Sequence, residues 1–317
     1  QFLQGSVPGL NVGVATTAGG TPPIAIRGRT TLSGNQNVLI ILDGVQYNQS
    51  LASINPDDIA SIDVLKDASS TAVYGAQAAN GVLLITSRRG NANKPPRISF
   101  NTAYTFQNPT VGDKMRPYNR EQFLNAVTEG FWDRSYIGPE FTQRNPNFDV
   151  KTVVDATMAL PDRSALLPND YNWAAEATNP GSIFENTLSV SGGAEKYNYL
   201  LSAGLVDQKG FIVNDLFKRQ NLRANLEIAP KDWIKFGLIS TGSFTNQDGA
   251  EPSFGVMNIT SPLLVPFDAN GNIIPNPSNT VVPNPFNTFY VDDKERNQYL
   301  FANAYTEISF PFLKGLT

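Results

Sequence analysis

Cysteine and histidine are both absent from this chain of 317 residues. Their absence removes disulfides, thiol nucleophiles, imidazole general bases and nitrogen- or sulfur-ligated zinc sites in one step. Carboxylates, Tyr, Lys and Ser/Thr remain as catalytic groups, and a metal would have to be a hard cation held by oxygen. Much of enzymology goes with the missing side chains. Charge is also scarce, at 16% of residues against a typical share of about 25%. Lys+Arg 24 against Asp+Glu 28 gives a net charge of −4, so no basic field favours nucleic acid as a partner. Long apolar runs are missing too. Stretches such as Val38 to Leu42 and Val82 to Ile85 fall far short of the ~18 residues that mark a transmembrane helix. The opening QFLQGSVPGLNVGV has neither a basic nor an apolar leader region, so no secretory signal is read there; one already cleaved would leave such a start.

Hydrophobic residues make up 41% of the chain, with 19 Phe and 11 Tyr, which is not a disordered composition. Low charge with many aromatics suits an outer-membrane-type barrel as well as a soluble β protein, because a barrel strand alternates in polarity and leaves no hydropathy peak.

Two textures divide the chain. Up to about residue 90, short apolar runs (Ile24 to Ile26, Val38 to Leu42, Ile62 to Leu65, Val82 to Ile85) are separated by turns such as Ser33-Gly34-Asn35 and Asp43-Gly44, the pattern of a small mixed α/β domain. Asp67 and Ser69 can cap one helix of about two turns over Ser70 to Tyr74, with Gly75 as its stop. Ser87 to Pro96, SRRGNANKPP, reads as the domain boundary.

Beyond it lie about six long segments of period two. In one, Leu222, Ala224, Leu226 and Ile228 alternate with Asn221, Arg223, Asn225 and Glu227. The others centre on Ile98 to Phe106, Leu188 and Val190, Tyr197 to Leu205, Ile234 to Phe244 and Leu300 to Phe310. Short links alternate with medium or long ones, as in a bacterial outer-membrane barrel. The long links carry aromatics, among them Trp132, Tyr171, Trp173, Phe286 and Phe289, and a helix at about Asn119 to Trp132 with Asn119 as N-cap and Gln122 three residues on. These loops are expected to fold over one another.

The stretch Ser61 to Gly90, SIDVLKDASSTAVYGAQAANGVLLITSRRG, closely resembles the signature of the SusC/RagA family of TonB-dependent outer-membrane transporters of the Bacteroidota. Val7 to Val12, Ile26 to Arg29, Val38 to Gln46 and Ile54 to Ile59 agree with it in order, and Glu185 to Gly193 and Asn198 to Gly204 resemble the first barrel strands more loosely. The resemblance implies a membrane β-barrel, 22-stranded in the family with only about six strands present here, around an N-terminal α/β plug domain. It places the plug at residues 1–95, incomplete at its N-terminus, and the first strands and extracellular loops at 96–317, incomplete at their C-terminus. Six strands cannot close around such a plug, so the chain is expected to be part of a longer polypeptide.

By the same resemblance the protein is a nutrient importer of the cell outer membrane and not an enzyme, and no catalytic residue, metal or cofactor is expected. Its cargo would be oligosaccharides or peptides. Its partners would be a SusD-like surface lipoprotein, the TonB complex of the inner membrane and outer-membrane lipid. The alternatives are a TonB-dependent receptor for an iron chelate or cobalamin, a secreted β-rich glycan-binding protein, and a structural or motility-linked surface protein on the same barrel.

No ligand-binding residue is singled out. The candidates for a plug latch or gate are Arg27, Gly28, Asp43 and Gly44. Arg27 is either a partner for a carboxylate on the barrel wall or a surface Arg in a turn. Asp43-Gly44 either shapes a substrate-facing apex or simply forms a turn with Gly at positive φ. Asp57-Asp58 and Asp292-Asp293 with Glu295 either hold a hard cation or form solvated turns, and Lys66-Asp67 with Ser69 either attracts an anion or caps a helix. The polar strand faces (Asn221, Arg223, Asn225, Glu227, Lys235, Asn303, Glu307) line the lumen in a transporter and face water in a soluble protein.

Overall fold

The two textures become two kinds of sheet. The computed structural model describes residues 10–15, 17–26, 37–66, 72–109, 117–157, 168–278 and 282–310. In the first part, β1 (Leu10–Val12) and β2 (Ile24–Ile26) pair as an antiparallel ribbon. Next to it is a four-stranded sheet of β3 (Leu39–Leu42), β4 (Val45–Gln46), β5 (Ile59–Leu65) and β6 (Val82–Ser87), in the order β4-β3-β6-β5. β3 and β6 run parallel, Leu39 opposite Val82. Leu10, Ile26, Leu42, Tyr47, Ile54, Leu83 and Ile85 close a small core between ribbon and sheet.

The expected helix at Ser70 to Tyr74 differs. Residues 67–71, with the caps Asp67 and Ser69, lie outside the described residues. From Ala72 the chain forms 3₁₀ turns to Ala78. Gly75 takes φ 66°, a left-handed conformation that breaks the helical path, but a second turn follows instead of a stop.

Every one of the six alternating segments is a strand, and most are longer than the pattern suggests. β7 is Arg97–Gln107. In the link after it, β8 (Tyr136–Ile137) and β9 (Gln143–Arg144) form a two-residue ribbon. β10 (Gly181–Ala194), β11 (Tyr197–Lys209), β12 (Leu216–Lys231), β13 (Ile234–Asn246) and β14 (Arg296–Ile308) follow. Together with β7 they pair antiparallel in the order β14-β13-β12-β11-β10-β7, an open meander with β7 and β14 as its edges. All six strands meet the length of ~9–11 residues that a tilted strand needs to cross a bilayer.

The polarity of this sheet is inverted relative to a soluble protein. On β12 the apolar Leu222 is 59% exposed, and Leu226 and Ile228 are exposed with it, while Arg219, Asn221, Arg223 and Asn225 are buried. The same apolar band continues outward through Ile98, Phe100, Leu201, Leu205, Phe236, Phe244 and Leu300. The pleat puts successive residues on opposite faces, and the polar face is the one that meets the small sheet.

The two long links fold over one another. Asn119 caps the helix Arg120–Gly130 in a reciprocal capping box with Gln122. Phe123, Leu124 and Val127 from that helix pack against Val154, Trp173 and Ala177 of the same link and Met257, Leu263, Leu264 and Phe286 of the second one. Trp173 fixes its indole by donating from Nε1 to the Ser261 carbonyl at 3.1 Å.

Candidate functional site: the contact between the small sheet and the wall

β12 supplies the contact. Its inward positions read Arg219-x-Asn221-x-Arg223-x-Asn225, and all four side chains cross to the first domain. Arg219 Nη1 donates to the carbonyls of Ala52 (2.6 Å) and Ile54 (3.2 Å). Asn221 Nδ2 donates to the Ser53 carbonyl (2.7 Å) and Asn225 Nδ2 to the Arg88 carbonyl (2.6 Å). Arg223 Nη2 lies 2.8 Å from Asp43 Oδ2, with side-chain exposures of 2% and 1%.

Local structure explains why Asp43 is there. Leu42 pairs with Val45, leaving a two-residue hairpin in which Asp43 has φ 50° and Gly44 φ 87°. Positive φ at both central positions is the type I′ geometry, for which Asp-Gly is a preferred pair. The turn projects the carboxylate toward Ser87, which donates from N (2.9 Å) and Oγ (2.8 Å) to Oδ1. Arg223 is held from the other side by its own bond to Thr241 Oγ1 at 3.0 Å. Each member is therefore held by a hydrogen bond on its own side as well as by the other, while the buried Arg223 Nε is left without a partner. Gly44 itself is exposed, with nothing within 4 Å of where a Cβ would sit, so its role there is conformational.

Further contacts flank the ladder. Ser202 Oγ on β11 donates to Asp58 Oδ1 at 2.6 Å, and Asn55 Nδ2 to Thr187 Oγ1 at 3.3 Å. Tyr47 meets Tyr299 edge to face at 5.2 Å and shares a hydrogen bond with Ser53. Burial pushes the Tyr47 phenol up to about 12 and raises the Asp58 carboxyl, against the opposing effect of the Ser202 bond. At the upper rim, Asp215 Oδ1 and Oδ2 both accept from the Ala18 amide at 2.8 Å. Burial raises this carboxyl too.

Of the four latch candidates, Asp43 and Gly44 sit at this contact, and Arg27 and Gly28 lie outside the described residues. Asp58 departs from the solvated-turn reading: it is 6% exposed. Asp292 is exposed and pairs with Lys294 at 2.7 Å. Among the described residues no group of three or more acidic, His or Cys side chains is placed to hold a metal. The parity of Asn221, Arg223 and Asn225 already marked them as one face; Arg219 shares that parity and extends the pattern. Asp58 and Asp215 carried no local signal, since adjacent or isolated acids in turns are commonplace on surfaces.

Comparison with known proteins agrees with this geometry. The TonB-dependent Receptor Plug Domain model matches residues 1–82. TonB-dependent receptor P3 of Formosa agariphila is 29% identical over 254 residues, covering 78% of this chain and 22% of that protein. TonB-dependent receptor SusC of Bacteroides thetaiotaomicron is 27% identical over 249 residues, covering 75% of this chain and 22% of that protein. The RagAB peptide importer in its closed-closed state superposes with a TM-score of 0.76 at 25% identity, over 99% of this chain and 37% of that one. The chain thus spans about a fifth of the length of these curated relatives. With a matched plug, an apolar-out wall and polar side chains joining the two, the chain matches the plug domain and part of the β-barrel wall of TonB-dependent receptors of SusC/RagA type.

Proposed function

We propose that this chain belongs to an outer-membrane importer that takes up oligosaccharides or peptides, with 1–95 as its plug and 96–317 as the first strands and loops of its wall. The observation that carries the reading is the inverted sheet, whose exposed apolar band suits lipid and whose buried polar face grips a separate small domain. A soluble glycan-binding protein would instead leave a contiguous apolar face in water, which invites aggregation. Opening then requires the plug to yield, with force supplied by the TonB complex, and a SusD-like lipoprotein serves as lid over the loops.

Asp43 and Arg223 act as the latch in this reading, Gly44 shapes the turn that presents the carboxylate, and Arg27 with Gly28 forms a second latch segment. The polar ladder suits release: its bonds to plug carbonyls can be exchanged for bonds to water at small net cost each, while the buried Asp43–Arg223 ion pair resists until force is applied. The test is uptake of labelled oligosaccharides and labelled peptides by cells with and without TonB. TonB-dependent uptake of one class supports the proposal and names the cargo. Uptake of neither, or uptake indifferent to TonB, overturns it.

A further inference from the structure

The tip of the first plug hairpin is gripped by the wall at a point that belongs equally to the loops. Between β1 and β2 the chain turns at Thr17–Gly20, closed by the Gly20 amide on the Thr17 carbonyl at 3.1 Å. Ala18, at 1% exposure, gives its amide to Asp215, and its carbonyl accepts from Gln247 Nε2 at 3.0 Å. The Gly19 amide donates to Gln208 Oε1 at 3.3 Å. Gly19 has φ 65°, and a Cβ there would run into the Phe217 ring, so the turn fits only as glycine. Side chains from the ends of three strands and from one rim turn converge on these two residues.

The same rim turn is fastened to both long loops. The Val213 amide donates to the Ala177 carbonyl at 2.9 Å and the Asn179 amide to the Phe211 carbonyl at 2.8 Å. Thr178 and Ile212 form an isolated bridge between these bonds. Ala177 belongs to the loop core with Trp173 and Phe286. On the other side, Asn214 Nδ2 donates to the Ala250 carbonyl at 3.0 Å, and the Gln247 amide donates to the Glu295 carbonyl at 2.8 Å. A continuous set of packed and bonded groups therefore runs from the loop core through residues 177–179 and 211–215 to Ala18. The Asp43 turn is attached differently, meeting the wall on the strands themselves through Arg223 and Thr241.

From this geometry we infer that Asp215 is a positioning residue that couples the loop core to the first plug hairpin, so that a change of packing in the loops is felt at Thr17–Gly20 before it reaches the four-stranded sheet. Coupling of this kind needs a contiguous network and an element that can adopt two arrangements. In this proposal that element is the ribbon β1–β2, three residues to a strand and bound to the wall at its tip, since it has few bonds of its own to lose. The inference gives the transporter reading a direction of communication and rests on it for its purpose, but the coupling is measurable without transport.

The test is hydrogen exchange on the protein isolated from its own membranes in detergent, comparing the wild type with Asp215→Asn, Asp215→Ala and Trp173→Phe. Exchange over residues 10–26 is expected to rise about tenfold or more in Asp215→Ala, less in Asp215→Asn, and measurably in Trp173→Phe, with residues 39–54, which share a core with Leu10 and Ile26, rising less in all three. If Trp173→Phe loosens residues 250–265 without moving 10–26, or if 39–54 loosens as much as 10–26, the coupling is overturned. If the wild type shows no uptake but the exchange pattern holds, the transport reading fails and the coupling stands.

Discussion

Asp43 and Arg223 stand 180 residues apart in the chain and meet at 2.8 Å with almost no side-chain exposure. Each is already hydrogen-bonded on its own side, Asp43 by Ser87 and Arg223 by Thr241. A pair so prepared loses little entropy on meeting, and leaves a costly orphan when one member is removed.

Removing one member should therefore loosen the plug more than removing both. Asp43→Ala is expected to weaken plug attachment by about 3–5 kcal/mol, with the Asp43→Ala, Arg223→Met double variant recovering part of the loss. A double-mutant cycle on urea unfolding, read by exchange over residues 39–54, measures it. A double variant as weak as the sum of the singles would remove the pair from the latch.

Gly44 separates turn geometry from charge. With φ 87° and no atom near its missing Cβ, Gly44→Ala should cost about 1–2 kcal/mol through backbone strain alone. Exchange at Leu42 and Val45 should rise while the Arg223 contact persists.

The outward face should answer to lipid. Leu222→Arg in the middle of the exposed band is expected to destabilise the wall by about 2–4 kcal/mol in phospholipid vesicles. In water, the same change would cost little on an already exposed side chain. Equilibrium unfolding from vesicles distinguishes the two.

Acid should tighten the plug contact before it unfolds the protein. Burial raises the carboxyls of Asp58, Asp215 and Glu251 above their usual range, so between the folded and unfolded pKa values the folded form binds more protons. Stability from these groups then grows as pH falls from neutral toward the unfolded carboxylate value of about 3.9–4.3, and levels off below it. The exposed Asp268, held low by bonds from Asn272, contributes with the opposite sign in its own loop. Exchange over residues 10–26 and 52–60 should slow as pH falls from neutral into the mildly acidic range, after correction for intrinsic rates, and Asp58→Asn should blunt the effect at 52–60.

Alternation determined the six wall strands because the pleat acts on neighbours: Leu222 and Arg223 must point opposite ways wherever the strand lies. The Asn119–Gln122 capping box is equally local, since its groups lie within one helical turn, and so is the Asp43-Gly44 turn, whose positive φ values follow from those two residues. Which face of the sheet is buried was not a local matter. Leu222 is outside and Arg223 inside only because a separate domain covers the polar side, and that depends on register across the whole meander. The burial of Asp58 beneath Ser202, the reach of Arg219 to Ala52, and the grip of Asp215 on Ala18 likewise join positions far apart in the chain. Sequence spacing carries backbone geometry over a turn or a pleat; the choice of a partner more than a hundred residues away was made by the packing of the plug against the wall.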